Sequence, residues 1–331
     1  MPSYKSIQAS NALLSGIKSR IVAVFVGGTS GIGKATIKAL AATGAEARIH
    51  VIGRKASKDA MSAFIQDLQS INSKAEIIWT AAEVSLLSEV KRVCEDIKRQ
   101  ESRVDLLFMS AGYAPHGPRI ETTEGLEVTQ SLEYYSRILF IRLLIPLLCK
   151  SESPRVISVL AGGLEPSSIT LDDIDLKEPS NFGGLKTQGH YAAMGTLALE
   201  QLAEIHQTVT FIHSFPGWVK TGNHRRGAEA NSIPTTITQK IMEPLLLLLS
   251  FSEEESGQRH LFECTSAMFG GQGTTWDGEP GTNSMGERTN GLFLVNDKCE
   301  CTTNDKALPT LRKNAAERVW VHTQKVLQPY M

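Results

Sequence analysis

The sequence predicts a doubly wound α/β fold built on a parallel sheet, and three observations point to it. Short apolar runs alternate with helical stretches along most of the chain. The run Arg20–Val26 is uninterrupted, as expected for a strand that is buried on both faces of a sheet. A glycine-rich turn and a helical stretch follow it directly, which is the order of elements in a βαβ unit.

The individual elements follow from hydrophobic periodicity and from the residues that begin and end helices. The predicted strands are Arg20–Val26, Ala47–Ile52, Ala75–Thr80, Val104–Met109, Arg155–Leu160 and Val209–His213, and Gly291–Val295 has the pattern of a late edge strand. The predicted helices are a stretch that ends at Thr43, Ser57–Ile71, a helix through Arg99 with Ser85 as its N-cap, Thr123–Cys149, Ala192–His206 and Asn314–Leu327. We see no linker, so a single domain over residues 1–331 is predicted.

Composition excludes several function classes. The 331 residues carry a net charge of −1 with both signs interspersed, which argues against docking to nucleic acid or to an anionic membrane. Five cysteines without zinc-ligand spacing indicate reduced thiols and no metal site. The polar N-terminus lacks a signal peptide, and the apolar runs are too short to span a bilayer. We therefore expect a cytoplasmic protein with a small-molecule partner.

The segment after the first strand is the strongest motif in the sequence. Residues 27–33 read GGTSGIG between a buried strand and a helix. Glycines allow a tight turn and close approach of the backbone, and a helix N-terminus offers free N–H groups to a pyrophosphate. In this context the motif predicts a dinucleotide site rather than a turn without a ligand.

GGTSGIG resembles the T-G-x-x-x-G-I-G signature of the short-chain dehydrogenase/reductase family, with Gly27 in place of the usual Thr. The resemblance covers about residues 20–222 and implies a Rossmann fold with a cofactor-binding core there, followed by a substrate-covering and C-terminal extension at 223–331. Arg54 resembles the basic residue that receives the 2′-phosphate of NADP, so the resemblance implies NADP(H) as the cofactor. The cofactor-binding residues that it implies are Gly27, Thr29, Ser30, Gly31, Ile32, Gly33, Arg54, Glu83, Val84, Ala111, Gly112, Tyr191, Pro216, Gly217, Val219 and Thr221.

Several strings, such as LEYYSRILFIRLLIPLL and HSFPGWVKTG, are similar to divergent short-chain dehydrogenases of filamentous fungi that often belong to natural-product pathways. This resemblance implies an apolar natural product as the substrate. Members of the family often dimerise through helices that correspond to residues 123–149 and to the helix after Tyr191. A homodimer is therefore one expectation.

The catalytic half departs from the family, whose machinery is an Asn-Ser-Tyr-Lys tetrad. Tyr191 keeps the tyrosine, and the resemblance implies that it is the catalytic proton donor. Gly195 stands where the lysine belongs, Ala161 stands at the serine position, and Glu133 takes the asparagine position. Ser158 lies inside the fifth strand, away from the pocket. Without a nearby ammonium group Tyr191 should stay protonated, which suits general-acid work, although a packing role is the alternative.

Other polar residues are candidate substitutes for the missing groups. They are Tyr113, His116, Lys186, His190 and Lys220. Each is expected more often to be a surface or cofactor-contacting residue than a catalyst. Residues 163–189 are read as a lid or rim of the pocket.

Three functions are compatible with this sequence. The first is an NADPH-dependent reductase of a carbonyl or activated double bond in a fungal secondary metabolite. The second is a non-redox isomerase, cyclase or dehydratase that uses the same pocket for proton transfer or substrate folding. The third is a catalytically inactive NADP-binding protein. The cofactor motifs favour the first, and the incomplete tetrad favours the second.

Overall fold

The computed structural model describes residues 1–115, 117–219, 250–271 and 273–331. Its eight-stranded sheet has the order β3-β2-β1-β4-β5-β6-β7-β8, and every strand pair is parallel except β7 with β8. The strands are β1 Ile21–Val26, β2 Ala47–Gly53, β3 Ala75–Ala81, β4 Leu106–Met109, β5 Arg155–Val159, β6 Thr210–Ser214, β7 Leu292–Val295 and β8 Cys301–Thr302. The predicted doubly wound α/β fold is confirmed.

Helices cover both faces of this sheet. In the described ranges they are α1 Tyr4–Ala12, α2 Gly31–Ala42, α3 Lys58–Ile71, α4 Leu87–Gln100, α5 Val128–Gln130, α6 Ser136–Leu148, α7 Gly184–Ile205, α8 Glu253–Thr265, α9 Leu308–Asn314 and α10 Ala316–Leu327. A π-helical turn, Ser131–Tyr135, joins α5 to α6.

The two cores lie on opposite faces of the sheet because successive strand residues point to opposite sides. Val22, Val24 and Val26 of β1 join a core with α4, α6 and α7, whereas Ala23 and Phe25 join a second core with α2, α3 and α8. The uninterrupted apolar run of β1 is thus explained by burial on both faces.

Several predicted boundaries were wrong. Helix α7 begins at Gly184, eight residues before the predicted start, so Tyr191 lies inside a helix rather than before one. The long helix begins at Val128 with Glu127 as its N-cap, not at Thr123. Gly291–Val295 was expected at an edge, but β7 is an interior strand because β8 pairs with it. Ala315 interrupts the predicted final helix between α9 and α10.

The start of α4 also differs from the prediction. Leu86, not Ser85, is the N-cap residue, and it makes no side-chain cap. Instead, the carboxylate of Glu124 accepts hydrogen bonds from the backbone N–H groups of Leu87 at 2.6 Å and Ser88 at 3.0 Å. A distant loop therefore supplies the cap that a local serine was expected to give.

The C-terminal helix α10 packs against the long helix of the first core. The Tyr134 hydroxyl and the Thr323 hydroxyl share a hydrogen bond, and Arg142 donates to Gln324 Oε1 at 2.5 Å. The face of α6 near these residues is therefore covered within the chain. Across the described ranges, no helix combines the length and the apolar character needed to cross a membrane.

Candidate functional site

The glycine loop between β1 and α2 has the backbone geometry that its sequence predicts. Gly27 and Gly31 have φ values of 99° and 57°, which favour glycine. A Cβ atom on Gly33 would lie 2.6 Å from the carbonyl oxygen of Gly27, so a side chain cannot fit there. The first turn of α2 thus packs directly on the loop, and its N-terminal N–H groups face the end of the sheet.

A cleft of about 800 Å³ opens at the carboxyl ends of the central strands. It lies where the strand order reverses between β1 and β4, which is the usual ligand position in open α/β sheets. The predicted residues that line it are Gly27, Thr29, Ser30, Gly31, Ile32, Arg54, Glu83, Val84, Ala111 and Gly112. The structure therefore brings most of the predicted cofactor residues together.

Arg54 follows β2 at the rim of this cleft. Its side chain is exposed, and within the described ranges it forms no hydrogen bond or ion pair. Glu83 follows the neighbouring strand β3, and it accepts a hydrogen bond from the Ser85 hydroxyl at 3.0 Å. A guanidinium group at this rim is thus free of described partners and can receive a phosphate group.

The loop after β6 was also predicted to hold the cofactor. Pro216, Gly217 and Val219 are described, but none of them is among the residues that line the cleft. Val219 forms a parallel bridge with Phe251, and a Cβ atom on Gly217 would lie 2.7 Å from Cβ of Asp297. Thr221 and Lys220 lie outside the described residues, so the role predicted for this loop stays a prediction.

Tyr191, the predicted proton donor, is fully buried on α7. Its hydroxyl group donates a hydrogen bond to Glu127 Oε2 at 3.0 Å. Burial and the neighbouring carboxylate of Glu127 raise the pKa of Tyr191 well above its usual value. Tyr191 is not among the described residues that line the cleft, so its catalytic role stays a prediction.

Ser158 and the residues at the serine and lysine positions of the tetrad all make structural contacts. Ser158 is buried in β5 and accepts a hydrogen bond from Arg137 Nη1 at 2.9 Å. The backbone N–H of Ala161 donates to His213 Nε2 at 3.4 Å, and a Cβ atom on Gly195 would lie 3.6 Å from Cε1 of the same histidine. Burial lowers the pKa of His213 to about 3, so the imidazole is neutral here.

Glu133 occupies the position expected for the family's asparagine, on the π-helical turn. Gln188 Nε2 donates to Glu133 Oε2 at 2.7 Å. Burial raises the pKa of the Glu133 carboxyl group to about 7. Sequence reasoning missed Gln188 because α7 was expected to begin only at Ala192. A helix extended by two turns would have placed Gln188 on the same helix as Tyr191.

The remaining candidates fall in different places. Tyr113 lines the cleft, where burial raises the pKa of its phenol. His190 and Lys186 line a second cavity of about 330 Å³ in the 164–190 segment. His190 Nε2 lies 3.0 Å from the carbonyl oxygen of Ile174, and burial lowers its pKa. His116 lies outside the described residues.

The residues of the first half fit a dinucleotide. The cradle at Gly27 and Gly33 has no room for a side chain, and the N-terminus of α2 supplies N–H groups at its centre. Arg54 and Glu83 stand at the far end of the same cleft. Glycines and amides would hold the pyrophosphate, and the rim residues would hold the adenosine half.

Comparison with known proteins identifies relatives of the class that the geometry of the cleft indicates. Residues 21–166 match the family model described as short chain dehydrogenase. Oxidoreductase AN1596 of Emericella nidulans is 37% identical over 338 residues, which cover 99% of this chain and 98% of the relative. Short-chain dehydrogenase/reductase SAT2 of Stachybotrys chartarum is 30% identical over 358 residues, which cover 99% and 97%.

Solved structures show the same fold. The NADPH-bound carbonyl reductase from chicken fatty liver has a TM-score of 0.53 at 16% identity, and the match covers 86% of this chain and 99% of that one. YwfH, an NADPH-dependent reductase involved in bacilysin biosynthesis, has a TM-score of 0.54 at 18% identity, with coverage of 75% and 92%. The chain therefore belongs to the short-chain dehydrogenase/reductase family, whose members are oxidoreductases that use a nicotinamide cofactor.

Proposed function

We propose that this chain is an NADPH-dependent reductase that acts on a carbonyl group or an activated double bond of a small, mainly apolar secondary metabolite. The observation that carries the proposal is Arg54, an exposed guanidinium group without a described partner at the rim of the cofactor cleft. A carboxylate would bind the free ribose hydroxyls of NAD, whereas an arginine suits the 2′-phosphate of NADP.

Fungal relatives support the class of reaction. AN1596 and the oxidoreductase andH of Emericella variicolor, which is 33% identical over 340 residues, are both named as oxidoreductases. The YwfH reductase acts in the biosynthesis of a natural product, although that likeness concerns the fold. A reduced nicotinamide would supply a hydride, and the residues of this chain would orient the substrate and deliver the proton.

We also propose the cellular location of the protein and the kinds of partner that it has. We expect a cytoplasmic enzyme with a small-molecule substrate and without nucleic-acid or membrane partners. Dimerisation through the long helix also stays a prediction, and α10 already covers part of that helix.

A second candidate function is favoured by the incomplete tetrad. Gly195 and Ala161 pack against His213, and Tyr191 is engaged with Glu127, so the described residues do not form the usual tyrosine–lysine pair. An isomerase, cyclase or dehydratase on this scaffold would move protons without net redox change. Such an enzyme would keep the cofactor as a structural group.

The test is a turnover measurement that counts cofactor against product. The purified chain is mixed with NADPH and a probe, 4-nitrobenzaldehyde for a carbonyl or 2-cyclohexenone for an activated double bond. Loss of NADPH absorbance is then compared with product by chromatography. The reductase proposal predicts equal amounts of oxidised cofactor and reduced product. Product that forms without consumption of NADPH, at the same rate in cofactor-free enzyme, would establish the non-redox alternative.

A further inference from the structure

We propose that the carboxyl group of Glu133, held in place by Gln188, is the proton donor for the reaction in the cleft. This inference rests on the proposed reductase function and names the residue that completes it. It would replace the tyrosine-centred chemistry that the family signature implies. Five features of the described structure support it.

The first feature is local backbone geometry. Glu133 is the central residue of the π-helical turn Ser131–Tyr135, which interrupts an otherwise α-helical segment between α5 and α6. π-Helical turns are rare and occur frequently at functional sites, because one additional residue redirects the side chains of the turn. The irregular turn therefore indicates that Glu133, its central residue, is a candidate functional residue.

The second feature is the position of the carboxyl group behind the cleft wall. Gly112, Tyr113 and Leu132 line the cleft, whereas Glu133, next to Leu132 in the chain, is not among the described lining residues and has 4% of its surface exposed. A Cβ atom on Gly112 would lie 2.6 Å from Glu133 Oε1. Any side chain at residue 112 would therefore overlap the carboxyl group, and glycine leaves room for that group directly behind the cleft wall.

The third feature is the anchor from α7. Gln188 Nε2 donates to Oε2 of Glu133 at 2.7 Å, which fixes one carboxyl oxygen and leaves Oε1 beneath Gly112. A glutamine amide cannot itself exchange a proton at neutral pH. Gln188 is therefore a positioning residue, and Glu133 carries the transferable proton.

The fourth feature is the absence of a neutralising ion pair in the described ranges. Arg137 lies one helical turn away, but its guanidinium group donates to Ser158 Oγ and to the carbonyl oxygens of Val159 and Ala111. Those three contacts hold the ends of β4 and β5 together. The carboxyl group thus stays buried without a described salt bridge, which favours its protonated form.

The fifth feature is the balance of charges around the carboxyl group. Burial raises its pKa most strongly, and the nearby carboxylate of Glu127 raises it further. Arg137, the amide of Gln188 and the backbone N–H of Tyr113 lower it, and the result is a pKa of about 7. A donor should have a pKa near the working pH, because both its acid and its base forms are then accessible.

The proposed step balances in atoms and electrons. A bound reduced nicotinamide would supply a hydride to the substrate carbon, the π electrons of the C=O bond would move to oxygen, and that oxygen would take the proton from the Glu133 carboxyl group. The substrate would be reduced to an alcohol at the expense of the two electrons of the hydride, and Glu133 would be left as a carboxylate. Water then returns a proton to it before the next turnover.

The experiment uses two variants and one matched control. Glu133→Gln keeps the shape but removes the transferable proton, and Gln188→Leu removes the anchor. Glu263→Gln is the control, because Glu263 is also a buried carboxyl group, but it lies on α8 in the other core and accepts from Ser214. NADPH consumption with 4-nitrobenzaldehyde is measured from about pH 5 to about pH 9. Infrared titration of the carboxyl band is measured in the same proteins without substrate.

We expect Glu133→Gln to lower kcat by about 100-fold or more, with NADPH affinity unchanged. The wild-type rate should fall as pH rises through the pKa of Glu133, and this fall should vanish in the variant. Gln188→Leu should shift that pH profile, and Glu263→Gln should leave rate and profile as in wild type. Two buried carboxyl groups should contribute to the infrared signal that titrates near neutral pH, because burial also raises the pKa of Glu263 to about 8. The Glu133 contribution should be lost in Glu133→Gln and kept in Gln188→Leu, and Glu263→Gln identifies the contribution of Glu263.

Three results would overturn the inference. A Glu133→Gln rate within about threefold of wild type would remove the residue from the mechanism while the reductase function stands. An infrared band that is unchanged in Glu133→Gln would show that this carboxyl group does not titrate near neutral pH. Wild-type protein that binds NADPH but consumes none with either probe would overturn the reductase function and this inference together.

Discussion

The hydroxyl group of Tyr191 donates a hydrogen bond to Oε2 of Glu127 at 3.0 Å, and the same oxygen accepts the Thr129 hydroxyl at 2.6 Å and the Gln130 N–H at 2.7 Å. Glu127 is the N-cap residue of α5, and both Tyr191 and Glu127 are buried. The tyrosine of the family signature is thus tied to the start of the long helix.

Replacement of Tyr191 by Phe is the first prediction. The variant loses one buried hydrogen bond to a carboxylate, so the free energy of unfolding should fall by about 1 to 3 kcal/mol in a urea titration. Turnover with NADPH should change by less than about threefold, because the hydroxyl group is occupied by Glu127. A loss of about 100-fold with normal folding would instead establish Tyr191 as the proton donor that the sequence predicts.

The second prediction concerns the pH dependence of stability. The pKa of Glu133 is raised from 4.5 to about 7, so the folded protein binds more protons than the unfolded chain between those values. Stability should therefore fall as pH rises through this window, by on the order of 3 kcal/mol. Glu133→Gln lacks this loss, so its stability relative to wild type should increase with pH.

Urea unfolding at about pH 5 and about pH 8 measures that difference. The exposed Glu279 provides the control, because Glu279→Gln changes a carboxylate on the surface. If Glu133→Gln and wild type showed parallel changes with pH, the carboxyl group of Glu133 would be ionised throughout and the charge balance described for it would be incorrect.

The third prediction separates two proposed caps of α4. Glu124→Ala removes the acceptor of two backbone N–H groups and should cost about 1 to 2 kcal/mol of stability. Ser85→Ala should cost less than about 0.5 kcal/mol, because the Ser85 hydroxyl donates to Glu83 and caps nothing. Thermal or urea unfolding of both variants checks this order, and a larger cost for Ser85→Ala would reverse the assignment.

The fold was predictable because its signals are local. Burial of β1 on both faces leaves an uninterrupted apolar run, and the glycine loop needs small residues at fixed positions whatever the distant sequence is. The clustering of the predicted cofactor residues at one edge of the sheet could be predicted for the same reason. Arg54, Glu83 and the loop residues each follow a strand that ends at the same edge of the sheet.

The contacts of the catalytic half could not be predicted from local sequence signals. The bond from Gln188 to Glu133 joins residues 55 positions apart, and the π-helical turn has no composition of its own. Likewise, the cap of α4 comes from Glu124, a residue 37 positions away from Leu87. Such pairs depend on how elements meet in space, which hydrophobic periodicity does not specify.

The fourth prediction tests the glycine cradle. A methyl group at Gly33 would meet the Gly27 carbonyl oxygen, so Gly33→Ala should displace the loop and weaken NADPH binding by at least about tenfold. Gly16→Ala is the matched control, since no atom lies within 4 Å of the added carbon. Fluorescence titration with NADPH distinguishes them. Equal affinity in the two variants would mean that the loop does not hold the cofactor.

The most direct test of the account is calorimetric titration of the purified chain with NADPH and with NADH. NADPH should bind at least about tenfold more tightly, and Arg54→Ala should remove that preference while Lys55→Ala, at the neighbouring exposed position, should retain it. Equal affinity for the two cofactors, or tighter binding of NADH that Arg54→Ala leaves unchanged, would contradict the assignment of this enzyme to NADP(H).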